Sequence, residues 1–200
     1  MWQFNVELFQ FINELTRFEI IEIIAPRMAD VPIFFLPLFL TSMWLYYTFS
    51  KIYSPDERYN LRENLMFIFY ACVVVYIFSH IIKLFIYVDR PQEAITEAWK
   101  LLLYKIPDAS FPSDHASISI AFLTAMYFTH YKKIFWIFLP FVIAMNFSRV
   151  IAWVHWPTDI MWGLLIWILA GYIGTRVLPQ IKFVKKINSL IIKVLSYIKL

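Results

Sequence analysis

Two stretches of this chain run without a charge for as long as a bilayer is thick. Val31 to Ser50 is twenty residues with no Asp, Glu, Lys or Arg, and Leu65 to Ile82 is eighteen. A helix rises about 1.5 Å per residue, so each run suffices to cross about 30 Å of hydrocarbon. Backbone donors and acceptors in lipid must be satisfied internally, which restricts the architecture to helices or a closed barrel. Uninterrupted apolar runs, rather than alternating ones, select helices. The composition agrees: 61% hydrophobic and 20% aromatic residues with a mean hydropathy of +0.64 exclude an ordinary soluble domain. The expected fold class is all-α, a polytopic transmembrane helix bundle.

Along the chain, residues 4–24 place Phe4, Leu8, Phe11, Ile12, Leu15 and Phe18 at roughly helical spacing between four glutamates and Arg17. This reads as an amphipathic helix on the membrane surface, closed by Pro26 to Asp30, because so many charges are costly in lipid. Spans are expected at about 31–50, 64–88, 113–131, 134–154 and 158–178, five in all, with six as the alternative. Residues 92–111 form an extramembrane segment whose Trp99, Tyr104 and Phe111 suit the interface. Lys132-Lys133 is a tight basic turn, and Lys182 to Leu200 a basic amphipathic tail. The expected organisation is one domain over 1–200: an interfacial segment 1–30, a catalytic bundle 31–178 and a tail 179–200. The N-terminus has no basic region before its apolar positions, so no cleavable signal is expected. Cys72 is a lone cysteine inside an apolar run, which precludes an intrachain disulfide. No metal-ligand or haem spacing is present, and no cofactor or metal is expected.

Chemistry is concentrated in three ordered motifs. Lys83, Arg90 and Pro91 form K-x6-R-P; Pro112, Ser113, Asp114 and His115 follow; Ser148, Arg149, His155 and Asp159 form S-R-x5-H-x3-D. Lys83 and Arg90 lie two helical turns apart, on one face. Between His115 and Ser148 there is room for one helix across the membrane, a tight turn and one helix back. The second and third motifs therefore return to the surface where the second span stops at Pro91. Ser113 and Asp114 are N-cap types, and Pro157 suits a first helical turn, so two helix N-termini point at the same place. Helix N-termini with Lys83, Arg90 and Arg149 make a pocket for a dianion. Asp159, four residues after His155, is spaced to fix its tautomer and leave the other ring nitrogen nucleophilic. His115, from a different helix, suits a general acid on the leaving oxygen.

Each residue alone has a plainer reading: Lys83 and Arg149 as snorkelling anchors, Ser113 as a simple cap, His155 as an interface residue. Their ordered convergence on one membrane face outweighs those readings. His80, one turn from Lys83, reads as a packing histidine, and His130, at the far end of its span, as an interface residue.

The motif set resembles that of the type-2 phosphatidic acid phosphatase superfamily, K-x6-R-P, P-S-G-H and S-R-x5-H-x3-D, at Lys83, Arg90, Pro91, Pro112, Ser113, His115, Ser148, Arg149, His155 and Asp159. Asp114 replaces the usual glycine, a variant that resembles the bacterial subgroup including undecaprenyl pyrophosphate phosphatases. The resemblance implies a metal-independent phosphatase working through a phosphohistidine. In that scheme His155 is the nucleophile, Asp159 orients it and His115 is the acid. Lys83, Arg90, Ser113 and Arg149 hold phosphate, with Asp114, Ser148 and Pro91 behind them.

Eleven Lys and Arg fall on the face holding loop 51–63, the 132–133 turn and the tail, against four outside the motifs on the other face. The positive-inside rule then turns the site outward, to the periplasm or extracellular side of a bacterial inner membrane. The expected partners are the bilayer and a membrane lipid phosphate, not nucleic acid. Undecaprenyl pyrophosphate and the 1-phosphate of lipid A lead the candidates, with phosphatidylglycerol phosphate and phosphatidic acid behind. The alternative is a non-enzymatic lipid-phosphate binder or flippase, which needs no His–Asp pair. A vanadate-dependent haloperoxidase shares the motifs but not the spans.

Overall fold

The computed structural model describes residues 2–95 and 107–198 and is an all-helical bundle. Its helices are α1 (Trp2–Asn13), α2 (Glu19–Asp30), α3 (Phe35–Phe49), α4 (Pro55–Phe85), the short α5 (Pro91–Ala94), α6 (Asp114–Tyr127), α7 (Lys132–Ile151), α8 (Pro157–Tyr172) and α9 (Lys182–Tyr197). Trp99 and Tyr104, assigned above to the interface, lie outside the described residues.

Among the described residues, four helices can cross a membrane by length and composition: Glu19–Phe49, Pro55–Phe85, Lys132–Ile151 and Pro157–Gln180. The third expected span is instead the 14-residue α6, which ends at Tyr127 rather than Tyr131. Its environment explains why it can be short and only moderately apolar. α6 is wrapped by α4, α7 and α8, so Ser117, Ser119 and Thr124 meet protein rather than lipid. Ser79 donates to Ser117 at 2.9 Å, and Asn146 donates to Ser119 at 3.2 Å.

The N-terminal part differs from the single surface helix expected. A 3-10 turn over Glu14–Arg17 splits it, and α2 does not stop at Pro26. It continues through a second 3-10 turn, Val31–Phe34, into α3, giving one helix from Glu19 to Phe49. Pro26 removes a single intrahelical donor, and transmembrane helices accommodate such a gap where neighbours pack against them. Here Ala25 and Ala29 are buried on α2, the latter against Ala152 and Val154.

Close approach of α8 to α6 requires Gly171. A Cβ there would stand 2.6 Å from the Thr124 Cβ and 2.7 Å from the Ala121 carbonyl oxygen. Backbone cannot yield as a flexible side chain can. Gly171→Val is therefore expected to destabilise the fold by about 1–3 kcal/mol or more, read as a lowered midpoint of thermal inactivation in detergent. An unchanged midpoint would mean that the two helices are not in contact at this level.

The tail is a docked helix. Tyr70 donates to Asn188 at 2.8 Å and Arg62 to Ser196 at 3.1 Å, while the lysines of α9 stay exposed.

Candidate active site

The chain returns to one end of the bundle three times, and each return brings motif residues. Lys83 sits in the last turn of α4, Arg90 caps α5 ahead of Pro91, and Ser113 caps α6 with its side chain accepting from Ala116 N–H. Arg149 closes α7, His155 lies in the following loop, and Asp159 is in the first turn of α8.

Lys83 and Arg149 are not snorkelling anchors. Their side chains are only 9% and 3% exposed, and both point into the protein. Lys83 Nζ donates to Asp114 at 2.7 Å and to Asp108 at 3.0 Å. The Arg90 guanidinium grips the 108–109 turn through the Asp108 carboxylate and carbonyl, and its Nη1 donates to the Val154 carbonyl at 2.6 Å. Arg149 pairs with Asp30 at the end of α2.

His155 is 1% exposed and held from both sides. Its Nε2 stands 3.3 Å from Nη1 of Arg90 and 3.3 Å from Nη2 of Arg149. Its Nδ1 lies 2.9 Å from the Ser110 carbonyl, an acceptor only, so Nδ1 carries the proton and Nε2 the lone pair. The expected carboxylate partner is near but looser: Asp159 Oδ2 is 3.6 Å from Nδ1. That oxygen is drawn away by two shorter bonds, 2.5 Å from the Ser110 hydroxyl and 2.8 Å from the Trp156 N–H. Ser110 thus stands between acid and imidazole, buried and touching both. Burial, then the Arg149 and Arg90 charges, push the His155 pKa well below its ordinary value of about 6.5, keeping the ring neutral. For Asp108, burial opposes ionisation, but hydrogen bonds from Arg90 and Lys83 prevail and hold its pKa below the usual carboxylate range.

The loop carrying His155 is strained. Trp153 has φ 65°, the left-handed region, which costs a non-glycine residue about 1–2 kcal/mol. What holds it is α1. Phe9 packs edge-on to Trp153 at 4.9 Å and against Trp156 at 5.2 Å, and Asn5 accepts from Thr158 N–H at 3.2 Å. Trp156 Nε1 donates to the Asp89 carbonyl at 2.7 Å, tying this loop to the one carrying Arg90. The N-terminal helix therefore buttresses the site.

The structure brings together Lys83, Arg90, Arg149, His155, Asp159, Asp114 and His115, whose Nε2 is 3.4 Å from Asp30. Ser113 is fully buried as the α6 cap, with its neighbour His115 turned into the pocket. Ser148 and Pro91 are buried behind it, the former with its carbonyl accepting from Ala152 N–H. His80 is exposed, 3.9 Å from Asp114 and tilted against the Tyr76 ring at 4.3 Å, so it is a rim residue rather than a packed one. His130 is exposed in the turn at the opposite end. Asp30, Asp108 and Ser110 were not singled out by the motifs.

Residues 64–183 match the family model described as the PAP2 superfamily. The chain is 29% identical over 195 residues to the bacitracin transport permease protein BcrC of Bacillus licheniformis, covering 96% of this chain and 89% of that protein. It is 27% identical over 173 residues to the undecaprenyl-diphosphatase BcrC of Bacillus subtilis, covering 86% and 83%. Among solved structures, the crystal structure of Aquifex aeolicus LpxE superposes with a TM-score of 0.65 at 24% identity, covering 86% of this chain and 94% of that one.

Proposed function

This chain belongs to the PAP2 superfamily, and from that premise we propose that it is a multi-pass membrane lipid phosphatase acting on undecaprenyl diphosphate through a phosphohistidine at His155. The observation that carries this reading is the orientation of His155. Its Nε2 faces two guanidinium groups while its Nδ1–H is spent on the Ser110 carbonyl. Binding a lipid phosphate needs the cations but not a nucleophile aimed between them. A phosphatase needs both.

In the proposed reaction Nε2 attacks phosphorus, and the bond to the leaving oxygen breaks with its electron pair going to that oxygen. Lys83, Arg90 and Arg149, with Ser113 and the N–H groups opening α6, hold the equatorial oxygens as charge spreads over them. His115 gives its proton to the bridging oxygen that departs with the lipid monophosphate, and the Ser110 carbonyl with Asp159 stabilises the cationic ring of the phosphoenzyme. Water then attacks phosphorus, losing a proton to His115 as the N–P bond breaks. The three cations pair with Asp108, Asp114 and Asp30, so phosphate binding exchanges with carboxylates rather than entering bare positive charge.

The substrate preference rests on the Bacillus subtilis relative named as an undecaprenyl-diphosphatase. The side of the membrane rests on the basic turn at Lys132-Lys133 and the lysines of α9, which mark the end of the bundle opposite the site as cytoplasmic. The active site then opens to the periplasm or extracellular space.

Phosphate release by purified protein in detergent with chelator present tests the function. The panel is undecaprenyl diphosphate, lipid A, phosphatidylglycerol phosphate and phosphatidic acid. Release is expected fastest from undecaprenyl diphosphate, undiminished by chelator and blocked by vanadate. A requirement for magnesium or zinc would point to metal-assisted transfer instead.

The neutral state of His155 has a consequence for pH. A histidine whose pKa is depressed in the folded protein stays unprotonated below its unfolded value, and stability is lost as pH falls from that value towards the folded one, where only the unfolded chain takes up the proton. The acid limb of kcat/KM belonging to the nucleophile is therefore expected below about pH 6.5. An acid limb above that value, abolished together with the nucleophile's chemistry, would contradict it.

A further inference from the structure

Asp30 ends α2 where the helix tightens into the Val31–Phe34 turn, outside the 64–183 segment that matches the family model. Its side chain nonetheless reaches the centre of the site. Oδ1 accepts from Nη1 of Arg149 and stands 3.4 Å from Nε2 of His115. One carboxylate oxygen therefore touches both a phosphate-holding cation and the acid.

The charges facing His115 come from every element around it. Lys83 on α4, Arg90 ahead of α5 and Arg149 on α7 are cations, and His155 lies in the loop beyond α7. Asp114 and Asp108 are committed to Lys83 and Arg90, and Asp159 sits behind His155 on Ser110 and Trp156. Among the described residues, Asp30 is the carboxylate within ion-pair distance of the His115 ring. A proton held on His115 amid three cations needs a counter-charge, and Asp30 is placed to supply it. The same contact presents the other Arg149 nitrogen to His155. Asp30 is thus to the leaving-group side what Asp159 and Ser110 are to the nucleophile side.

We propose that Asp30 is a positioning residue for departure of the leaving-group oxygen, holding the His115 ring and the Arg149 guanidinium at that end of the phosphate pocket. This rests on the reading of His115 as the general acid. As the P–O bond breaks, the His115 proton moves to the departing oxygen, leaving a neutral ring beside Asp30. When water attacks, its proton returns to that ring and the N–P bond breaks.

The test uses the full-length protein in detergent and two substrates differing in need for an acid: dodecyl phosphate, with an alkoxide leaving group, and p-nitrophenyl phosphate, with a stable phenolate. Asp30→Asn is expected to lower kcat on dodecyl phosphate by about 10- to 100-fold, part of the about 10²–10⁴-fold that a positioned acid supplies. On p-nitrophenyl phosphate, where only the shared effect through Arg149 remains, the loss should be at least about fivefold smaller. Asp30→Glu should recover part of the dodecyl phosphate rate. In a His115→Ala background, Asp30→Asn should add little, because the group it acts through is gone. Equal losses on both substrates would reduce Asp30 to a structural contact and overturn the proposal. So would faster turnover with a lower KM, which would make the carboxylate a mere occupant of the phosphate pocket. The ratio between substrates does not depend on how much protein is folded. Should Asp30→Asn yield no folded protein, Asp30→Glu is read by the same ratio, with the same direction expected. If His115→Ala fails to discriminate between leaving groups, the acid assignment itself falls and takes Asp30 with it. If His115→Ala discriminates and the Asp30 variants do not, Asp30 alone falls.

Discussion

Replacing His155 with alanine is expected to lower kcat by about 10⁴-fold or more while leaving phosphate binding nearly intact. A nucleophile that forms a covalent intermediate has no substitute among its neighbours, and removing such a group elsewhere costs about 10⁴–10⁶-fold. Its Nε2 faces two arginines, while the Ser110 hydroxyl and the Asp159 carboxylate lie on the Nδ1 side of the ring and are bonded to each other. The cations remain, so affinity for inorganic phosphate should change by less than about tenfold, equivalent to 1.4 kcal/mol. The fold should survive with a modest loss. The deleted ring leaves the Ser110 carbonyl without its donor, a cost of about 1–3 kcal/mol. Residual turnover above one part in a hundred would show that His155 is not the nucleophile, whatever its surroundings suggest.

Arg90→Lys is the second large effect, and it separates charge from geometry. Lysine keeps the cation but loses the planar fork that reaches Asp108, the Val154 carbonyl and His155 together. Arg90 is 2% exposed, so the lost contacts are not replaced by water. Hydrogen bonds involving a charged group contribute about 1.5–3 kcal/mol each, and losing one that strengthens in the transition state lowers kcat/KM by about 10²-fold. The Val154 carbonyl would also be released, loosening the strained Trp153 turn that presents His155. Wild-type kcat/KM in this variant would mean that Arg90 serves only as a charge.

The motifs were legible because helical geometry brings distant residues to one face. Lys83 and Arg90 are the exception, since α4 stops at Phe85 and Arg90 caps α5, so the two meet through Asp108 rather than along one helix face; α6 with α7 does make a hairpin returning Arg149 to the level of His115. The cap at Ser113 was legible for the same kind of reason: its hydroxyl meets an orphan N–H of the first turn. What escaped the sequence had no periodic signature. Asp108 and Ser110 lie in a loop, where spacing carries no geometric information, yet one clamps two cations and the other bridges His155 and Asp159. Asp30 was hidden by Pro26, read as the end of a surface helix although packing against α7 carries the chain through it. The end of α6 was obscured because Phe128 and Tyr131 continue the hydropathy of a span after the helix has turned.

The stereochemical course at phosphorus tests the central claim most directly. A substrate whose terminal group is a thiophosphoryl made chiral with oxygen isotopes is turned over in water of the third isotope, and the configuration of the released thiophosphate is determined. Transfer to His155 and then to water is two in-line displacements, each inverting, so the account predicts overall retention. Inversion would mean a single direct attack by water, with His155 at most a base and no phosphohistidine on the path.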